Sequence, residues 1–106
     1  NKVEDYGVGF YTKYGDGGVD IAPIADLYKS EVWDLGKSLG VDSRIIEAKP
    51  TDGLWDDGRT DEDQLGATYS ELEEAMETGK GTGLKVLEEY ARMNAHKMNP
   101  IPTFTL

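Results

Sequence analysis

Tyr28, Val32, Leu35 and Leu39 recur at 4-3-4 spacing, and this apolar stripe predicts a helix over 26–39. Asp26 stands in the N-cap position and Gly40 is placed to end the helix. A second stripe, Leu84, Leu87, Ala91 and Ala95, predicts a last helix over 83–95, with Pro100 and Pro102 beyond it and an extended tail. Between them, Thr60-x-x-Asp63 and Ser70-x-x-Glu73 read as capping signals. They predict short helices near 61–66 and 70–78, the second closed by Gly79. Ser43 to Ala48 adds a further turn. Residues 1–8 read as the end of a helix, broken by glycines at 7, 9, 15, 17 and 18. Val19 to Ile24, with apolar residues around Asp20 and Pro23, reads as a short extended segment at a sheet edge. Lys49 to Thr60 is a Gly/Asp-rich loop with Leu54 and Trp55 as its large apolar residues. No repeat or low-complexity run interrupts the pattern.

The result is helix-rich, with too few strands to complete a sheet. At 106 residues the chain is one domain at most, near the small end for independent stability. It opens on Asn1 rather than Met, so a piece of a longer protein is expected.

Composition narrows the function. A formal charge of −10 argues against nucleic acid and anionic membranes as partners, because phosphate surfaces require a basic face. A small anionic ligand remains open, since a few placed lysines suffice locally. No apolar run approaches the ~18 residues of a membrane span. With no cysteine there is neither a disulfide nor a thiolate metal site, which fits a cytoplasmic protein.

The run Thr12 to Asp20 holds one lysine, two aspartates and three glycines, just after Gly9-Phe10-Tyr11. Glycine permits close backbone approach to a ligand, lysine holds phosphate, and a carboxylate holds a ribose hydroxyl or a metal. The acidic stretch Asp56, Asp57, Asp61, Glu62 and Asp63 lacks the alternating order of an EF-hand loop, so calcium binding is not expected there. A loop over about 52–61 that opens and closes suits it better, with Trp55 as a latch.

Asn1-Lys2-x-Glu4, the run Gly9 to Asp20, Pro23-Ile24-x-x-Leu27-x-Lys29, Lys49-Pro50-Thr51, Thr60-Asp61-Glu62 and His96-Lys97 together resemble the NAD synthetases. Order and spacing match over nearly the whole chain, and the match is to the C-terminal part of the synthetase domain. The resemblance implies an α/β fold: the helix-rich part of an adenine-nucleotide alpha-hydrolase-like (Rossmann-like) domain. It also implies ATP-dependent amidation of deamido-NAD to NAD through an adenylated intermediate. Ammonia, or glutamine-derived ammonia, is the nitrogen donor, Mg²⁺ the metal, and a homodimer the assembly.

Carried over residue by residue, the resemblance implies that Lys13, Asp20, His96 and Lys97 contact deamido-NAD and that Lys29 and Thr51 contact ATP. It implies Glu4 as the Mg²⁺ ligand. One extra residue between Glu4 and Gly9, relative to the family's usual spacing, makes Asp5 the alternate ligand. Phe10, Tyr11 and Tyr14 are candidates to stack on a base. No residue is assigned a proton-transfer role. The family's Ser-Gly-Gly-x-Asp-Ser pyrophosphate loop is absent from these residues, so the 106 residues alone are expected to be inactive. A non-catalytic helical assembly module is the alternative, with another amidotransferase or ligase of the same pyrophosphatase superfamily behind it.

Overall fold

A computed structural model describes all residues, Asn1 to Leu106. A π-helical segment, Val3–Val8, opens the chain and is followed by the glycine-rich run. The helices are α1 (Lys29–Ser38), α2 (Ser43–Ile46), α3 (Asp61–Leu65), α4 (Tyr69–Thr78) and α5 (Leu84–Met93), and a 3₁₀ turn, Ala95–Met98, closes the order. Residues 99–106 carry no regular structure.

The caps explain most boundaries. At α3 the Asp63 N–H donates to Thr60 Oγ1 at 3.1 Å, and the Thr60 N–H donates to Asp63 Oδ2 at 2.9 Å, as the spacing predicts. At α4 the capping box lies two residues earlier than expected. Thr68 and Glu71 form it, and the helix begins at Tyr69. Glu73, expected to cap, instead accepts from the Ser30 N–H at 3.0 Å and the Ser30 hydroxyl at 2.8 Å. It thereby satisfies a free N–H at the start of α1, an interaction between helices that local spacing does not show. Gly79 closes α4 in a left-handed conformation, as expected.

α1 begins at Lys29 rather than at residue 26. Tyr28 is its N-cap, and the Glu31 carboxylate accepts from the Tyr28 N–H at 3.0 Å. The extended segment expected at Val19–Ile24 is not a strand. Hydrogen bonds from Ala25 N to Ala22 O and from Leu27 N to Ile24 O wind residues 22–27 into turns. A strand requires a partner, and this chain contains none. The α/β character expected of the fold is thus not displayed by these residues, whose regular structure is all helical. α5 ends at Met93, two residues short of the expected 95.

The core is small. Val3, Val8, Leu65, Ala67, Tyr69 and Leu72 form it, and Met76, Val86, Leu87 and Tyr90 pack around them. It lies where α4 and α5 meet the π-helical segment. Val3 and Val8 are fully buried, so the residues between them are held against α4.

The accessible surface is 7555 Å² for 11.7 kDa. A folded monomer of that mass exposes roughly 5900 Å². The radius of gyration, 15.2 Å, likewise exceeds the ~13 Å of a compact domain of this length. Leu35, Leu39, Val41 and Ile45 on α1, α2 and their connection account for part of the excess. No helix is long and apolar enough to cross a membrane.

Candidate functional site

Two groups of side chains assemble around the first ten residues. The first centres on Glu4. The Asn1 side chain accepts from the N–H groups of Val3 and Glu4 at 3.1 and 3.3 Å. At the other end the Gly9 N–H donates to Glu4 O, a five-residue closure that accommodates one more residue than an α-turn. Glu4 consequently faces α4, and its Oε1 accepts a short hydrogen bond from the buried Tyr69 hydroxyl. Burial, and then that bond and the charge of Glu4, push the Tyr69 phenol far above its ordinary value, so it stays a donor.

Lys29, the first residue of α1, places Nζ 5.4 Å from the centroid of the Tyr69 ring. Asp61, the first residue of α3, joins them. Its N–H donates to Pro50 O at 2.9 Å, and its Oδ1 is buried with no donor. Burial raises the Asp61 carboxyl first; the charges of Glu4 and Asp52 add to this, and Lys29 opposes it. Asp5 faces away from this group. Its charge is felt instead at Tyr11, whose phenol is raised first by burial and then by Asp5.

The second group ties the glycine-rich run to the C-terminal turn. Lys97 Nζ donates to Gly9 O at 2.7 Å and to Tyr11 O at 2.6 Å. Tyr11 returns a hydroxyl bond to Lys97 O at 3.2 Å, and Lys13 Nζ donates to His96 O at 2.5 Å. Half-burial lowers the Lys97 ammonium. Asn94 Nδ2 anchors the same region to Val8 O at 2.9 Å. Gly9 makes this possible: it has φ +66°, and a Cβ there would stand 2.6 Å from Asn94 Cβ.

Lys13, His96 and Lys97 are therefore brought together, although His96 contributes its carbonyl while its side chain stays exposed. Asp20 is exposed and does not join them. Asp5, Tyr11, Lys13, Asp16, Lys97 and Met98 line a cleft of about 210 Å³.

Thr51 lies at the base of the acidic loop. Its hydroxyl donates to Arg59 O at 3.1 Å and accepts from the Gly53 N–H at 3.2 Å. With the Asp61-to-Pro50 bond, this closes the two ends of the loop on each other. Arg59 stacks on Trp55 at 3.9 Å and pairs with Asp57 at 2.6 Å, which holds the Asp57 carboxyl down to about 2. A second cleft, of about 420 Å³, separates this loop from the glycine-rich run; Phe10, Thr12, Asp16, Asp52, Leu54 and Lys97 line it. Lys97 borders both clefts. Sequence reasoning missed Tyr69 as a polar contact, because a hydroxyl in an apolar stripe gives no sign of its partner.

A family model described as NAD synthase matches residues 1–102. The NH(3)-dependent NAD(+) synthetase of Archaeoglobus fulgidus is 48% identical over 94 residues, which is 89% of this chain and 34% of that protein. That of Alkaliphilus oremlandii is 45% identical over 106 residues, covering 97% of this chain and 41% of the relative. The solved structure of NMN synthetase from Francisella tularensis superposes with a TM-score of 0.83 at 39% identity, over 100% of this chain and 44% of that one. The chain thus spans between a third and two fifths of the length of these two curated relatives.

Proposed function

The chain belongs to the NAD synthase family, and we propose that it supplies one wall of a site that converts deamido-NAD to NAD with ATP and ammonia. The observation that carries the reading is the convergence of Lys13 and Lys97 on one side of the glycine-rich run, while Glu4 and Lys29 gather on the other. That is the arrangement expected of a site for two anionic nucleotides.

A carboxylate is a poor electrophile, so amidation proceeds in two steps. A nicotinate carboxylate oxygen attacks the α-phosphorus of ATP; the bond to pyrophosphate breaks, and an acyl adenylate results. Ammonia then attacks the acyl carbon, the bond to AMP breaks, and the nitrogen loses a proton to give the amide. Lys13 and Lys97 hold the acceptor nucleotide with His96, and Asp20 contacts it from outside that cluster. Lys29 and Thr51 hold ATP, and the 52–61 loop closes over the adenylate to exclude water.

The residues fit a magnesium ion. Magnesium is commonly bound by one or two carboxylates together with substrate phosphates, and Glu4 stands near Asp61, whose buried oxygen has no donor. Glu4 would hold the ion with Asp61, in preference to Asp5, which looks toward the other cleft. When bound, the ion neutralises charge on the triphosphate.

The likeness to NMN synthetase favours a second reading, in which the acceptor is a mononucleotide. Uncovered apolar side chains on α1 and α2 suit a fold completed by further α/β chain and by a second subunit. The intact protein, given ATP, Mg²⁺ and ammonia, should form NAD from deamido-NAD faster than it amidates nicotinate mononucleotide. Lys13→Ala and Asp20→Ala should each reduce that rate heavily; near-normal turnover in both refutes the site assignment. The 106 residues alone, without a pyrophosphate loop, should form none.

A further inference from the structure

We infer that Tyr69 is a positioning residue that sets Glu4 and Lys29 relative to each other, an inference that rests on the function proposed above. Tyr69 is 1% exposed and belongs to the core with Val3, Val8, Leu65 and Leu72, so its ring is fixed by packing on several sides. From that fixed ring two groups are held at once. The hydroxyl donates to Glu4 Oε1, and the ring face lies 5.4 Å from Lys29 Nζ. The main chain adds a third tie: the Tyr69 N–H donates to Glu62 Oε2 at 2.8 Å, which joins α4 to α3 beside Asp61.

Neither Glu4 nor Lys29 is held as firmly by its own segment. Both side chains are long, rotamer-rich and only partly buried. Ordering such side chains costs about 1–2 kcal/mol each. A buried donor selects one carboxylate rotamer, and an aromatic face selects one lysine direction. Glu4 and Lys29 are separated by the whole glycine-rich run, so no local geometry relates them. The tyrosine does.

The test uses the intact protein with Tyr69→Phe, Glu4→Gln and the double variant. Phenylalanine keeps the ring, its volume and the face toward Lys29, and removes only the hydroxyl. Mg²⁺ affinity is read by calorimetry in the presence of a non-hydrolysable ATP analogue, and folding by urea denaturation of the same samples. Tyr69→Phe should weaken Mg²⁺ binding about tenfold, the amount expected for losing a hydrogen bond to a charged group. KM for ATP should change far less. The double variant should bind Mg²⁺ no more weakly than Glu4→Gln alone, because Tyr69 acts through Glu4.

If Tyr69→Phe loses stability but keeps wild-type Mg²⁺ affinity while Glu4→Gln loses it, Tyr69 is a core residue only and the inference is overturned. Additive losses in the double variant overturn it as well. If Glu4→Gln itself binds Mg²⁺ like wild type, the metal assignment of Glu4 fails and takes the inference with it. NAD formation by the same samples reports separately on the proposed reaction.

Discussion

Gly83→Ala sets a local effect against a tertiary one, and the structure decides between them. Gly83 is the N-cap of α5 with φ −81° and ψ −9°, a backbone that any residue adopts. On local grounds alanine would stabilise by about 0.4–1 kcal/mol through the unfolded chain. The poor N-cap preference of alanine relative to glycine takes back about 0.5–1 kcal/mol, roughly the whole of that gain. A Cβ at Gly83, however, would stand 2.5 Å from the Glu71 carbonyl oxygen, 2.7 Å from its carbon and 3.1 Å from the Leu72 nitrogen. Carbon-to-oxygen contacts normally begin near ~3.3 Å, so the two helices must part by most of an ångström. The obstructing atoms are backbone within α4, and no rotamer change removes them.

Overpacking of this kind costs about 1–3 kcal/mol. The clash outweighs the entropic gain, and a net loss of about 1–2 kcal/mol is expected, against a total stability of about 5–15 kcal/mol for a domain. Urea denaturation of the intact protein followed by far-ultraviolet circular dichroism measures it, with a lowered midpoint and an unchanged slope. Because α5 carries Tyr90, bonded to Gln64 O, and leads into Asn94, bonded to Val8 O, the shift should also raise KM for the acceptor nucleotide. Stability equal to or above wild type would refute the argument.

Two further outcomes follow from the site. The Asp61 carboxyl is raised by burial and by Glu4, so the folded state keeps its proton to higher pH than the unfolded chain does. The resulting penalty is absent below the ordinary carboxylate range and grows as pH rises through it. Asp61→Asn should therefore stabilise the protein at neutral pH, by no more than about 1 kcal/mol because partial exposure screens the charges. That gain should vanish below about pH 4 while activity falls; a gain that persists in acid would contradict this. Lys97→Met keeps the aliphatic stem but leaves Tyr11 O without its donor and Gly9 O with the Tyr11 N–H alone. It should cost about 1–2 kcal/mol and raise KM for the acceptor nucleotide more than KM for ATP; equal effects on both would sink the division of the site into two ends.

Much of this molecule is written locally. The Thr60–Asp63 cap, the Gly79 stop and the existence of all the helices follow from side chains within a few residues of one another, where geometry is fixed by the 3.6-residue period. Lys13 and His96–Lys97, singled out by type and motif, do meet. Two of the misreadings share one cause. Glu73, assigned to a cap, serves Ser30 on another helix. Val19–Ile24, read as an extended segment at a sheet edge, forms no strand and only its end enters turns, because a strand is a property of a pair.

Along the chain Glu4 and Asp5 are neighbours of the same charge, and local pattern does not distinguish them. In the π-helical turn one faces Tyr69 and the other the cleft that Lys13 and Lys97 line. Sequence alone determined which chemical groups were present and which short elements carried them. Which groups face one another, and which polar atom is buried without a donor, was decided only by packing, because those relations join residues that the chain itself keeps far apart.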